Sequence, residues 1–290
     1  MAKDSILGIT PAGFHRIVYE TFGTPNPEKT VICVHGLTRN RGDFVYLAEA
    51  LSNDAFVVTV DLVGRGESDR LKDPQYYHYP QYIQDLVALL ARLNVKQVDW
   101  IGTSMGGLIG MLLASLEKSP IRRLVMNDVG PMIPKEAIER LKTYASVKLS
   151  FSTREEAEGV LRKIFAPFGF LPEDRWQNLF QNTLTTEADG RIGLNYDHLA
   201  MQENKSEVFA NKDDEGNLTF WEYWANVTCP IYLIQGENSD ILSSKLVDDM
   251  KRSKTGTPLE SVMIKNTGHA PSLMLPDQIA LIKDWMSKAV

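Results

Sequence analysis

Val98-Asp99-Trp100-Ile101-Gly102-Thr103-Ser104-Met105-Gly106-Gly107-Leu108-Ile109-Gly110-Met111 reads as an apolar strand that turns directly into a helix, with a serine at the bend. Val98–Gly102 has the character of a buried strand. Met105–Leu116 is apolar all round and rich in small residues, which suits a central buried helix. Between them stands Gly102-Thr103-Ser104-Met105-Gly106, a G-x-S-x-G. Flanked this way, the serine occupies a tight strand-to-helix turn with strained dihedrals, and its flanking glycines are needed because a Cβ would collide with neighbouring backbone. The turn presents the hydroxyl at the carboxyl edge of a sheet and at a helix start, where partial positive charge favours developing negative charge.

Outward from this turn, the chain alternates short β-rich runs with helix-period segments, the pattern of a mostly parallel sheet covered by helices on both faces. Strands are expected over His15–Phe22, Thr30–His35, Phe56–Asp61, Arg123–Asp128, Ile231–Gln235 and Ser261–Lys265. Tyr79–Leu93 carries one apolar stripe at three- and four-residue spacing (Tyr82, Ile83, Leu86, Leu89, Leu90, Leu93) and reads as a helix. The rhythm breaks after Pro131. From there to Ala225 no strand is expected, only helical stretches such as Pro134–Leu149 and Arg154–Phe165 with aromatics and prolines between them. Alternation resumes at Pro230. The organisation this predicts is one α/β core from residues 1–130 and 226–290, with a helical insertion over 131–225.

At 290 residues the chain can bury a substantial core. Its net charge of -6 and lack of any long basic run argue against nucleic acid and anionic membrane as partners. No apolar segment reaches the ~18 residues needed to cross a bilayer. The N-terminal stretch lacks the cationic and long apolar parts of a secretion signal, so a cytoplasmic location is expected. Cys33 and Cys229, both in or beside apolar runs, read as small buried hydrophobes.

A serine hydroxyl is a poor nucleophile until a neighbouring base takes its proton. Of the five histidines, His269 is best placed, in Asn266-Thr267-Gly268-His269-Ala270-Pro271 directly after the last expected strand. His15 lies in a strand region and reads as structural; His78 sits among tyrosines where it would line an entrance, and His198 falls in the insertion. Two acids compete to orient the imidazole. Asp240, in Gly236-Glu237-Asn238-Ser239-Asp240, is favoured, because a short polar loop after the penultimate strand can reach a histidine after the last one. Asp128, in Asn127-Asp128-Val129-Gly130-Pro131, is the alternative, with capping the junction to the insertion as its bland role. Either gives the chain order Ser, Asp, His. Asp61 reads as a loop anchor near Gly64-Arg65-Gly66.

Attack on a carbonyl makes an oxyanion that needs two preorganised donors. The backbone amides of Met105, after the serine, and Leu37, in His35-Gly36-Leu37-Thr38-Arg39, are assigned that task. His35 reads as a structural hydrogen-bonding residue, and Arg39 as a surface arginine in preference to a partner for a substrate carboxylate. The histidines and cysteines lack metal-ligand spacing and no glycine-rich phosphate loop is present, so neither metal nor other cofactor is expected. The insertion carries Phe165, Phe168, Phe170, Trp176, Tyr196, Trp221, Tyr223 and Trp224, divided in unknown proportion between packing and an apolar acyl pocket.

His35-Gly36, Asp61-Leu62-Val63-Gly64-Arg65-Gly66-Glu67-Ser68, the Ser104 turn, Asn127-Asp128-Val129-Gly130-Pro131, Asp240 and Gly268-His269 together resemble the α/β-hydrolase superfamily over essentially the whole chain. That resemblance implies an α/β-hydrolase fold with an eight-stranded, mostly parallel sheet, a helical cap, and a small-molecule ester or lactone substrate. It also implies that the acid follows the penultimate strand, which supports Asp240. The activity expected is a serine hydrolase cleaving carboxylic esters of small to medium acyl groups. Carbon–carbon hydrolases, acyltransferases and ligand-sensing receptors of the same fold are the alternatives.

Overall fold

Strands β1 (Ala2–Thr10) and β2 (Gly13–Phe22) pair antiparallel at one end of the sheet in the computed structural model, which describes residues 1–201 and 209–288. The sheet continues through β3 (Thr30–Val34), β4 (Phe56–Val60), β5 (Val98–Thr103), β6 (Ile121–Asn127), β7 (Ile231–Gly236) and β8 (Leu259–Ile264). Its eight strands are ordered β1-β2-β4-β3-β5-β6-β7-β8, antiparallel through β4 and parallel from there on. The expected α/β class and mostly parallel sheet are thus observed.

Strand β1 was not expected from sequence. Only one face of it is covered, by way of Ile6, Gly8 and Thr10, while Leu7 and Ile9 face outward. Its inward positions therefore lack the apolar alternation that marks a strand. Gly8 sits where it does because a Cβ there would lie 2.3 Å from His15 Nε2. That nitrogen is 3.0 Å from both carboxylate oxygens of Asp85, so His15 is the structural residue it was expected to be.

Side chains alternate between the two faces of the central strands. On one face Ile32, Val34, Val58, Trp100, Leu124 and Leu233 meet helices α2 (Tyr79–Leu93), α3 (Met105–Ala114) and α8 (Ser244–Ser253). On the other, Val31, Cys33, Val57, Ile101, Val125 and Ile234 meet α1 (Val45–Leu51) and α9 (Pro276–Ser287). Every residue of α3 is buried, which is why that helix has no polar face. Burial pushes the Cys33 thiol well above its ordinary range and leaves it inert.

Between β6 and β7 the chain leaves this sheet. Helices α4 (Lys135–Ala145), α5 (Arg154–Ile164), α6 (Glu173–Thr183) and α7 (Trp221–Asn226) lie there, with α5 and α6 sharing a cluster around Phe151, Leu161, Trp176 and Phe180. The expectation of a strand-free stretch needs correcting. Ser150–Phe151, Ile192–Leu194 and Leu184–Thr186 form one small sheet, and Met132–Ile133, Leu218–Thr219 and Asn211–Lys212 another. Strands of two or three residues are too short for alternation to register in a sequence.

His35, just after β3, is fully buried. Its Nδ1–H donates to the Gly36 carbonyl at 2.7 Å, and its Nε2 accepts the Leu62 amide at 3.0 Å. That bond joins the loop after β3 to the loop after β4, the structural role expected of it. Burial, with Arg65 nearby, pulls its pKa down from 6.5 to about 3.

Two tests follow from this packing. A Cβ on Gly106 would lie 2.0 Å from the Val34 carbonyl oxygen, a backbone atom that cannot step aside. Gly106→Ala should therefore lower unfolding free energy by about 3 kcal/mol or more in a urea titration. For His35, the unfolded chain takes up its proton near pH 6.5 and the folded chain only near pH 3. The stability contributed by neutral His35 is thus complete above pH 6.5 and is lost as pH falls through that window. In His35→Gln, the fall of stability between pH 6 and 4 should be shallower by up to about 1.4 kcal/mol per pH unit.

Candidate active site

The turn between β5 and α3 forces Ser104 to φ 51°, ψ -116°, a conformation that holds its side chain clear of the sheet edge. Gly102 is obligatory for the same turn, since a Cβ on it would lie 2.2 Å from the Gly106 carbonyl oxygen. Trp100 Nε1–H donates to that carbonyl at 3.0 Å, and the Ser104 amide donates to the Asn127 carbonyl at 2.9 Å. Asn127 Nδ2 then reaches Thr103 Oγ1 at 3.1 Å and the Pro271 carbonyl at 2.8 Å. One buried amide thereby stitches the serine turn to the loop that carries His269.

His269 follows β8 and returns over the sheet edge. Its Nε2 is 2.9 Å from Ser104 Oγ and its Nδ1 is 2.8 Å from Asp128 Oδ2. A carboxylate only accepts, so the proton resides on Nδ1 and Nε2 is left to accept from the serine hydroxyl. Asp128 is fully buried. Its Oδ1 accepts the Gly236 amide at 2.7 Å and its Oδ2 accepts the Ser239 hydroxyl at 2.6 Å. The charge is therefore satisfied from the end of β7 and the loop that follows it, in addition to His269.

The favoured acid, Asp240, is not beside the imidazole. Its carboxylate takes Arg140 Nε at 2.5 Å and an outer nitrogen of the same guanidinium at 2.9 Å, with its side chain 46% exposed. The alternative, Asp128, holds the place expected for it. The reason lies one residue earlier. Ser239 turns inward to Asp128 while its oxygen accepts the amides of Ile241 and Leu242 at 3.2 and 3.0 Å, which leaves the Asp240 side chain on the outer side of the loop.

Met105 opens α3, and the first amides of a helix have no partner within it. The loop carrying Leu37 passes close by: a Cβ on Gly36 would lie 3.6 Å from Ser104 Cβ. Buried Arg65 fixes that loop from behind. Its Nε donates to the Leu37 carbonyl at 3.0 Å, and another nitrogen donates to the Val63 carbonyl and the Tyr82 hydroxyl, each at 2.8 Å. The sequence marked Arg65 only as part of a glycine turn. Asp61 is the loop anchor expected, accepting the amides of Arg41 and Glu67 at 2.8 and 2.9 Å.

Arg39 is buried, contrary to its reading as a surface residue. It grips Asp43 at 2.6 and 2.9 Å, donates to Thr183 of α6 at 2.7 Å, and lies 4.6 Å from the centre of the Phe165 ring. A partner four residues on and a roof from the insertion explain the burial. His78 caps α2 by accepting the Gln81 amide at 3.1 Å, and His198 Nδ1 lies 3.9 Å from Asp197. Among the described residues, no group of three or more His, Cys, Asp or Glu side chains is disposed to hold a metal ion. No helix among them is long and apolar enough to cross a membrane.

Two clefts meet at Ser104 and Leu37. The first is walled by Tyr79, Met105, Leu108, Ile133, Leu141 and Ile241. The second is lined by Arg39, Asp43, Arg140, Phe165, Phe168 and His269. Phe165 and Phe168, stacked 5.1 Å apart, are the insertion aromatics that reach it. Trp176 stacks on Phe180, Trp224 is buried with its indole nitrogen on Ser253, and Phe170 is exposed. A serine, a correctly tautomerised imidazole and a buried carboxylate in sequence can activate the hydroxyl for attack on an acyl carbon.

The family model described as alpha/beta hydrolase fold matches residues 29–273. A 3-hydroxybutyrate-oligomer hydrolase of Cupriavidus necator is 41% identical over 97% of this chain and 96% of its own. The esterase YbfF of Escherichia coli is 27% identical over 76% of this chain and 78% of its own. The crystal structure of an alpha/beta hydrolase from Novosphingobium aromaticivorans superposes with a TM-score of 0.85 at 32% identity, covering 99% of both chains. With the family's profile spanning most of its length and a full-length relative above 40% identity, the chain belongs to the α/β-hydrolase family.

Proposed function

We propose that this ester-bond hydrolase of the family works through an acyl-enzyme on Ser104, on carboxylic esters of small to medium acyl groups that include oligomers of short hydroxy acids. The observation that carries the mechanism is the unbroken run of hydrogen bonds from Asp128 through His269 to Ser104 Oγ. His269 takes the serine proton as Oγ bonds to the acyl carbon, and the amides of Leu37 and Met105 hold the oxyanion. Asp128 keeps the imidazole in its tautomer and stabilises the imidazolium. The same proton then passes to the departing alkoxide as the ester C–O bond breaks. Water, deprotonated by His269, releases the acid and restores the serine.

Pocket chemistry supports the substrate range. The first cleft is lined mainly by apolar side chains, Leu108, Ile133 and Ile138 among them, and suits an acyl chain. Residues 131–225 act as the cap, supplying α4 to that cleft and Phe165 and Phe168 to the other. The Cupriavidus relative, named for hydrolysis of 3-hydroxybutyrate oligomers, supports an ester of that size. A lactone presents the same carbonyl and is open to the same attack. The reading places the enzyme in the cytoplasm with both cysteines free.

Hydrolysis of p-nitrophenyl esters from acetate to decanoate should be fastest at short chains, and Ser104→Ala should lose nearly all of it. Equal activity in the two proteins would remove Ser104 from the mechanism. Exchanging the acids separates their roles: Asp128→Asn should lower kcat about 10⁴-fold by favouring the wrong tautomer, as loss of this carboxylate does in other serine hydrolases. Asp240→Asn should stay within about threefold of the native rate on the same neutral esters, a limit set by the small worth of an exposed ion pair.

A further inference from the structure

The two clefts that meet at Ser104 take different parts of the substrate in the proposed reaction. His269 lines the second and must hand its proton to the oxygen that departs. The leaving alcohol therefore lies on that side, and the acyl chain lies in the first cleft beside Met105. Among the described side chains lining that first cleft, only Ser104, Tyr79 and Lys142 carry nitrogen or oxygen. Lys142 is exposed on α4, where water satisfies its ammonium. Tyr79 is placed differently. It opens α2, and its ring is set edge-on to Tyr82 and Phe220, with centres 6.5 and 6.3 Å away. Two tyrosines of the same stretch use their hydroxyls inside the protein. Tyr77 donates to Asp197 and accepts the Leu71 amide, each at 2.7 Å, and Tyr82 accepts from Arg65 at 2.8 Å. The Tyr79 hydroxyl makes no hydrogen bond to a described residue, and its oxygen is not one of the sealed interior atoms left without a partner. It therefore opens onto the cleft that Tyr79 lines. Burial, with Tyr82 beside it, holds the phenol well above its ordinary range, so the group stays a donor. A donor in so apolar a setting costs free energy until something accepts from it, and what enters this cleft is the acyl chain.

We propose that Tyr79 is a specificity-determining residue whose hydroxyl donates a hydrogen bond to an oxygen borne by the acyl chain. The ligand class is a hydroxyacyl ester, in which that oxygen is a hydroxyl or, in an oligomer, the ester oxygen on the same carbon. This deepens the acyl-enzyme reading and rests on it. No covalent bond to Tyr79 forms or breaks. The phenol stays protonated while Ser104 Oγ bonds to the acyl carbon and the alkoxide leaves with the His269 proton. A plain acyl chain touches the same apolar walls but leaves the phenol unpaired, and that difference sets the preference.

The test compares p-nitrophenyl 3-hydroxybutyrate with p-nitrophenyl butyrate, which differ only in that oxygen. In Tyr79→Phe the ratio of kcat/KM for the hydroxy ester to that for the butyrate should fall about tenfold, the size expected when one partner of a desolvated hydrogen bond is removed. A tyrosine that only packs α2 against the core would lower both rates alike, so an unchanged ratio overturns the proposal. Thermal unfolding checks the premise. With no protein bond to lose, Tyr79→Phe should unfold no lower than the native protein; a clear fall would show the hydroxyl tied within the fold and would sink the site. A binding measurement keeps the donor separate from turnover. In nuclear magnetic resonance titrations Ser104→Ala should hold methyl 3-hydroxybutyrate more tightly than methyl butyrate, with the preference abolished in Ser104→Ala/Tyr79→Phe. No preference in Ser104→Ala refutes the donor. A preference lost with the Tyr79 hydroxyl, in a native protein that cleaves none of these esters, upholds the donor and refutes the acyl-enzyme reading instead.

Discussion

The closeness of α3 to the central strands is the constraint on which the rest of the structure depends. The α3 backbone comes so near that at Gly106 even one methyl group would meet the Val34 carbonyl oxygen at 2.0 Å. This contact forces the chain to reverse within Gly102-Thr103-Ser104, and the left-handed dihedral at Ser104 is the result. It also explains the composition of the helix. A segment pressed this tightly between the sheet and α2 can expose no polar face, so its apolar character is a packing requirement.

The second constraint is electrostatic. A carboxylate as deeply buried as that of Asp128 is tolerable only if both of its oxygens meet donors. Here the donors come from three places: the Gly236 amide at the end of β7, the Ser239 hydroxyl and the His269 imidazole. Because the neighbouring strands and loops all bond to one charge, that charge fixes the spacing of β6, β7 and the loop after β8. The same group that holds His269 in its tautomer thus registers the carboxyl edge of the sheet.

Much of this was legible in sequence, for identifiable reasons. The central strands announce themselves as branched apolar runs because both faces are buried, and the serine turn does so because glycine is sterically enforced beside it. His269 was found because Gly268 and Pro271 mark a loop at the end of the last strand. Asp240 was favoured, yet Asp128 is the carboxylate beside the imidazole, because loop position says which strand end a residue occupies and nothing about the direction its side chain takes. Ser239 and Asp240 are adjacent, and only one of them can face inward. Arg39 was misread because its cover comes from α6, distant in sequence, and Arg140 passed unnoticed because an arginine midway along an amphipathic helix looks like any solvated face.

Lodging the buried carboxylate after β6 has an evolutionary consequence. The loop after β7 is relieved of carrying the residue that touches the imidazole, needing only the Gly236 amide and a hydroxyl at Ser239 for support. Its tip, with Asp240, is free to face the insertion. Position 240 can therefore drift among charged, polar and apolar side chains, and α4 can drift opposite it, without disturbing the hydrogen bonds that reach Ser104. Diversification of substrate preference in such a scaffold is cheap at this tip and costly at the neighbouring serine, one residue away.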